Sequence, residues 1–306
     1  MLLKFAIQEF IEEKKFNNLS KNTVNTYSAT LKDFQHFCSE KEIINAEEVR
    51  EVTVKAFLIY CQEVRGNNVV SRNTKLHHLK IFFNYLQNEE VITDKQNPVR
   101  KMKLAKEEIK IEAFTDEHIK QMLGYFRRLK NRDKSFYAYR DHTIIVFLLS
   151  TGSRVGELVN VKWKDVDLVN HSITLFGKAR KQQSIPITEK LVKELCEYKL
   201  FAEKEIGKST DYVFTSRAGK QMTTNSVKLI FKRLKTIMNF KDVRLSAHTF
   251  RHTFAHRCLM AGMDIFTLQK LLRHGDLRMC ERYLSIWGTA LKEQNDKYNP
   301  LNNIEI

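Results

Sequence analysis

A mainly α fold in two domains is what this sequence predicts: a helical N-terminal domain, then a larger, mostly helical C-terminal domain holding one small antiparallel sheet. Three observations predict it. Apolar residues recur with a helical period through most of the chain. Only 3 prolines and 10 glycines interrupt its 306 residues. One β-rich stretch, between Trp163 and Ile187, breaks the helical pattern. The length suits two separate cores.

Taken in order, residues 1–100 read as about four short helices. Ser20 can cap a helix whose stripe is Val24, Tyr27, Leu31, Phe34 and Phe37 or Cys38. Val54, Phe57, Leu58 and Cys61 form a second stripe. Ser71 can cap a third helix, with Leu76, Leu79, Phe82, Phe83 and Leu86 facing a core. Asn97-Pro98 closes this region, because the residue before proline is pushed out of helical geometry. Residues 101–112, rich in lysine, read as a linker, and 113–306 as the second domain. There, Thr115 opens a helix through Ile119, Met122 and Leu123, and Tyr139–Leu149 is an apolar helix ending at Thr151-Gly152. Trp163–Val169, Ile173–Phe176 and Ser184–Ile187 supply the sheet. Helices resume near Glu189, Thr224, Thr249 and Ile265, and the tail 285–306 carries spaced apolar residues.

Net charge is +16, which points to a polyanionic partner. The excess is not uniform. Residues 1–112 hold 18 Lys and Arg against 16 Asp and Glu, leaving 34 against 20 for the rest. The positive field therefore belongs to the second domain. Cys38, Cys61, Cys196, Cys258 and Cys280 form no CxxC pair, which argues for reduced thiols, a cytoplasmic protein and no zinc site. No apolar run reaches the roughly 18–20 residues of a membrane span, so no membrane partner is expected.

The chemistry concentrates in spacings. His248 and Arg251 lie three apart, His252 follows, then come Arg273-His274 and, nine residues on, Tyr283. Upstream, Thr151-Gly152-Ser153-Arg154 leads to Glu157, and Gly177-Lys178 sits in a hairpin-like turn. Transfer at a phosphodiester needs such groups. A tyrosine hydroxyl with a pKa of about 10 needs a base or a positive field. Negative charge on the equatorial oxygens needs planar cations, which Arg154 and Arg251 could supply. The departing oxygen needs an acid, which suits Lys178. Each residue has a plainer reading: Arg154 and Glu157 as a helix ion pair, Lys181 as a solvated lysine, His252 and His256 as packing, Tyr283 as a half-buried aromatic. The ordered conjunction favours the chemistry. A second signal is an echo in the first domain. Ser20-Lys21-Asn22-Thr23 and Ser71-Arg72-Asn73-Thr74 each open a helix, where backbone N–H groups, hydroxyls and a cation suit a phosphate, or where they are simply good caps.

Together these motifs resemble the tyrosine recombinases of the phage-integrase family, over essentially the whole chain. Thr151 to Leu158 resembles the first arginine box, Phe176-Gly177-Lys178 the hairpin lysine, His248 to His252 the second arginine box, and Leu272 to His274 with Tyr283 the third histidine and the nucleophile. The simple two-domain type, as in Xer-like recombinases and transposon integrases or resolvases, is the nearest resemblance. It implies a SAM-like core-binding N-terminal domain and a catalytic domain with Arg154, Lys178, His248, Arg251, His274 and Tyr283 as the active set, supported by Glu157. It implies a 3′-phosphotyrosyl intermediate and a Holliday junction, without metal or cofactor. The implied partner is double-stranded DNA with short inverted repeats, bound by a homotetramer that is monomeric or weakly associated when free, with accessory DNA-bending proteins as possible helpers. The tail is expected to reach a neighbouring subunit. One departure stands out: Arg273 replaces the glycine common before the third histidine, which either alters the local geometry or adds a phosphate contact. Phosphate contacts are also expected of Lys181 and His252. Two rivals are a type IB topoisomerase and a non-catalytic DNA-binding regulator.

Overall fold

The computed structural model describes residues 1–106, 112–177 and 182–273. Lys178, Lys181, His274, Tyr283 and the tail 285–306 lie outside the described residues. The chain divides into two compact units, Met1–Glu108 and Ile109–Ile306. Among the described residues there are eleven α-helices and three short strands, and no helix is long and apolar enough to cross a membrane.

The first unit holds α1 (Leu3–Phe16), α2 (Lys21–Ser39), α3 (Glu51–Glu63) and α4 (Val69–Asn88). The sequence pattern assigns no stripe to α1, yet its Leu3, Ala6, Ile7 and Phe10 are buried. Phe10 meets Phe82 edge to face at 5.5 Å, and Phe34 meets Phe57 at 5.1 Å, so α1 and α3 both pack onto the expected stripes of α2 and α4. Ser20 caps α2 as expected, accepting the Thr23 N–H. Ser71 does not cap α4. That helix opens three residues earlier, where Asn68 Oδ1 accepts the Ser71 N–H at 2.9 Å, and Ser71 lies in its first turn. An Asn and a Ser three residues apart compete for the same role, and the earlier one wins here.

The second unit begins with α5 (Asp116–Asp133), α6 (Phe136–Thr151) and the short α7 (Val155–Asn160). Strands β1 (Val166–Asp167), β2 (Ser172–Phe176) and β3 (Gln182–Pro186) follow, paired antiparallel in that order. Ile173 faces Ile185 across the register, and both are buried. The stretch from Trp163 gives less strand than its composition predicts, because Trp163–Asp165 forms a 3₁₀ turn. Then come α8 (Glu189–Ile206), α9 (Thr224–Met238), α10 (Ala247–Met260) and α11 (Ile265–Leu272).

Helix α6 is the axis of this unit: Ile144, Ile145, Phe147 and Leu148 are all fully enclosed. Its polar positions are enclosed as well. Glu194 Oε1 of α8 bonds His142 Nδ1 and accepts the Thr143 hydroxyl, both at 2.7 Å, which fixes α8 against α6. A helix enclosed over most of its length cannot slide without breaking such contacts, so its C-terminus is a rigid platform.

In the first unit, His78 shares a 2.8 Å hydrogen bond with Thr30 Oγ1 under the ring of Tyr27. Burial, then the nearby His77 and Lys75 charges, hold its pKa below the usual histidine value. A histidine kept neutral by folding contributes stability that is complete above the unfolded pKa, roughly 6.5, and is lost as pH falls through the lower folded value. Thermal melts from pH 7 to 5 should therefore show a fall in Tm that is visibly shallower in His78→Gln.

Candidate active site

The site is built on three chain ends that face one another. The first is the turn after α6. Thr151 Oγ1 donates to the Phe147 carbonyl at 2.7 Å, and Gly152 caps the helix in the left-handed region at φ 54°. The glycine is required twice over: a Cβ there would lie 2.6 Å from Phe254 Cδ1 and 2.9 Å from Leu272 Cδ2. The chain then turns directly into α7, with Arg154 at the N-cap. Glu157, at the third position of α7, accepts the Arg154 backbone N–H at 2.9 Å and its Nη1 at 2.8 Å. Spacing of three thus serves as a cap and an ion pair at once.

The second element is α10. Ser246 caps it by accepting the Thr249 N–H, which sets the rotation of the helix. Phe250 and Arg251 turn inward, while His248 remains exposed. The Arg251 side chain belongs to a residue only 3% exposed. Its Nη1 donates to the Gly152 carbonyl at 2.7 Å and its Nη2 to the Leu272 carbonyl at 2.6 Å. One guanidinium therefore joins the α6 turn, α10 and the end of α11. His248 and His252, one turn apart, meet edge to face with ring centroids 4.2 Å apart.

The third element is the C-terminus of α11, where Arg273 sits in the left-handed region at φ 56°. Its Nη1 donates to the Leu271 carbonyl at 2.6 Å and its Nη2 to Glu157 Oε2 at 2.8 Å. The Arg273 side chain is 3% exposed. Of the two expectations for Arg273, altered geometry or a phosphate contact, the orientation favours the first: the guanidinium is turned inward onto Glu157. Burial alone would raise the Glu157 pKa, but the Arg273 charge and the hydrogen bonds from Arg154 outweigh it and hold the carboxyl below its ordinary value. Strand β3 reaches the same place, since Gln183 Nε2 donates to the Lys270 carbonyl at 2.9 Å.

Beside His248 opens a cavity of about 710 Å³ lined by Lys228, Lys232 and Lys235 of α9, with Arg244, His248 and His252. The lysines recur at i, i+4 and i+7 along one exposed side of α9, flanking the buried Val227, Ile230, Phe231 and Leu234. Sequence reasoning missed this stripe, although its period was present in the sequence. Arg154, Glu157, His248, Arg251, His252 and Arg273 are thus gathered in one region. Lys178, Lys181, His274 and Tyr283 lie outside the described residues. In the first unit, Lys21 and Asn22 are exposed beside the Ser20 cap, with Thr23 partly covered, and Ser71 and Thr74 are exposed with Arg72 half-buried. Asn73 differs from the surface contact expected of it. It is buried, donating to the Ala105 carbonyl and accepting the Ala105 N–H, both at 2.9 Å, so it fastens the segment after α4.

Comparison with known proteins decides the family. Residues 112–287 match the model of the phage integrase family, and residues 7–93 match its N-terminal SAM-like domain. The chain belongs to the phage integrase family. It is a tyrosine recombinase, an enzyme that transfers DNA strands. The recombinase is 29% identical over 299 residues to tyrosine recombinase XerC of Leptospira interrogans serogroup Icterohaemorrhagiae serovar copenhageni, spanning 97% of this chain and 94% of that one. It is 30% identical to XerC of Caldanaerobacter subterraneus subsp. tengcongensis, over 86% of this chain and 72% of the relative. In fold it is similar to the Tn1549 transposon integrase in complex with a circular intermediate DNA, with a TM-score of 0.76 and 19% identity over 92% and 95% of the two chains. It is also similar to a lambda integrase dimer bound to a core site, at 0.72 and 17% over 91% and 97%.

The turn geometry makes a sharp stability prediction. Gly152→Ala should cost about 2–4 kcal/mol from left-handed strain and overpacking against Phe254 and Leu272. Gly156→Ala, whose added Cβ meets nothing within 4 Å, should be neutral or stabilising by about 0.5–1 kcal/mol in urea melts.

Proposed function

We propose that this recombinase breaks and rejoins duplex DNA at short inverted repeats, with Tyr283 as nucleophile and a 3′-phosphotyrosyl link as intermediate. The observation that carries the reading is the convergence of Arg154 and Arg251 around the Gly152 turn, next to an exposed histidine and a cavity lined with cations. Arg154 is the more outward of the two, its side chain 32% exposed, and only its Nη1 is engaged by Glu157 among the described residues. Planar guanidinium groups match the two nonbridging oxygens of a phosphodiester and stabilise the charge that gathers on them during attack.

In this reading Arg154 holds the scissile phosphate from the exposed side, and Arg251 joins it by exchanging a carbonyl partner for a phosphate oxygen when DNA is seated. His248 and His274 bond the same oxygens or take the phenolic proton of Tyr283. Attack by the phenolate breaks the bond to the 5′-oxygen, and Lys178 delivers the proton that this oxygen needs. The new ester conserves the energy of the bond broken. A 5′-hydroxyl from a partner strand then attacks it, releasing Tyr283 and leaving the strands exchanged through a Holliday junction. Glu157 orients Arg154 and takes no part in proton transfer. Residues 1–100 form the core-binding domain and 113–306 the catalytic one, joined by the 101–112 linker.

The partner is double-stranded DNA, and the working assembly is a homotetramer on that DNA, acting in the cytoplasm. Among solved relatives in fold, a lambda integrase tetramer is bound to a Holliday junction. The polar residues at the starts of α2 and α4, Ser20, Lys21, Asn22, Thr23, Ser71, Arg72 and Thr74, face phosphates in this reading, as do Lys181 and His252. The α9 stripe adds a second grip. Its three lysines project from the helix nearest the cavity, so they meet the backbone beside the bond that is cut.

Two measurements test this. The protein is incubated with sheared genomic DNA from its own source and quenched in detergent, and covalently retained DNA is sequenced. Wild type should give adducts clustered at one repeat pair, and Tyr283→Phe should give none. Scattered adducts would instead indicate a topoisomerase, and tight binding without adducts a regulator. Separately, replacing Lys228, Lys232 and Lys235 with alanine should lower the slope of log K against log salt by about 0.9 for each phosphate contact removed.

A further inference from the structure

Arg273 adopts a backbone conformation that suits glycine, and its side chain is buried. Three observations separate it from an accidental surface arginine. Its side chain is 3% exposed, its Nη2 shares Glu157 with Arg154, and its Nε is enclosed without a hydrogen-bond partner among the described residues. The chain thus tolerates a strained backbone and an incompletely paired guanidinium to keep a cation at this spot.

What that cation does follows from counting charge around one carboxylate. Glu157 is 3% exposed and takes Arg154 on Oε1 and Arg273 on Oε2, each at 2.8 Å. With Arg154 alone, Glu157 would make a neutral pair, and its negative charge would cancel much of the field that Arg154 projects toward an anion. With Arg273 included, the cluster carries one net positive charge. The exposed member, Arg154, is the one placed to express it. Arg273 also caps the Leu271 carbonyl while Arg251 caps that of Leu272, so two guanidinium groups hold the negative end of α11.

We propose that Arg273 is a positioning residue for strand cleavage: it neutralises Glu157 from the buried side, leaving Arg154 an uncancelled cation aimed at the scissile phosphate, and it locks the end of α11. The proposal rests on the recombinase reading above. It assigns Arg273 no contact with DNA, and it predicts that charge at this position matters more than shape.

The test compares wild type, Arg273→Gln and Arg273→Lys on the DNA site recovered by covalent capture. Single-turnover adduct formation is measured at saturating DNA, together with DNA affinity across a salt series and Tm. Arg273→Gln should form adducts about tenfold more slowly or worse, with affinity within about twofold of wild type and an unchanged salt slope. Arg273→Lys, which keeps the charge, should recover most of the rate even if its Tm falls as far as that of the glutamine variant. Adduct formation at the wild-type rate in Arg273→Gln overturns the proposal. Weaker binding with a salt slope lower by about 0.9 overturns it in favour of a phosphate contact. Equal slowing in both variants, tracking their Tm, overturns it in favour of packing alone. If wild type itself forms no adduct, the recombinase reading fails first and the proposal falls with it.

Discussion

The buried guanidinium of Arg251 is the constraint on which the second unit depends. A charged group nearly sealed from water must find acceptors, and the two described here are carbonyls at helix ends, Gly152 after α6 and Leu272 closing α11. Helix C-termini leave such carbonyls without intrahelical partners and carry partial negative charge, so one cation satisfies both. The cost of burying Arg251 is thereby offset by groups that would otherwise need water. The result is geometric: α6, α10 and α11 cannot shift independently without stranding a charge. This is also why position 152 must be glycine. Any side chain would occupy the space where Phe254 and Leu272 close over the turn.

Around that brace the electrostatics are arranged asymmetrically. Glu157 lies inside, drawn below its usual pKa by Arg273 and Arg154 despite its burial. Arg273 is itself pushed down from the usual arginine value by burial, which the Glu157 charge opposes. A carboxylate held between two guanidinium groups orients both, but only one of them reaches solvent. The surrounding surface repeats the sign, with Lys228, Lys232, Lys235 and Arg244 around the cavity beside His248. Two thirds of the chain holds nearly all of its excess charge, and four of its cations line this one cavity together with Glu112.

Much of this was legible in the sequence, and the failures have a common physical cause. The stripes of α2, α3 and α4, the apolar α6 and the small sheet were all readable, because local periodicity and burial agree there. The clustering of Arg154 with Arg251 was readable from spacing and resemblance, though not the carbonyls that hold Arg251. What escaped were polar residues whose partners are distant in sequence. Asn73 read as a surface contact, but its partner is the Ala105 backbone, thirty-two residues away. Arg273 read in part as a phosphate contact, but its partner is Glu157, more than a hundred residues upstream. The Ser71 cap failed for a local reason, since Asn68 offered an equally good side chain one turn earlier. The lysine stripe of α9 was hidden by abundance: in a basic chain, three more lysines draw no attention until their buried counterparts define a face.

In the proposed reading, that face would lie one packing contact away from the helix that holds the phosphate. On α9, Lys228, Lys232 and Lys235 point outward while Phe231 points into the core, where its ring lies 5.6 Å from that of Phe250. Phe250 precedes Arg251 on α10, and its other face meets Phe114 at 4.8 Å, at the start of the same unit. A buried aromatic contact therefore joins the lysine-bearing helix to the residue beside the bracing arginine. Because both rings are buried in a close-packed core, they transmit position rather than absorb it. A duplex seated on α9 would thus bear, through Phe231 and Phe250, on the helix that carries both His248 and Arg251. The helix proposed to grip and the helix that carries Arg251 thus share a buried aromatic contact.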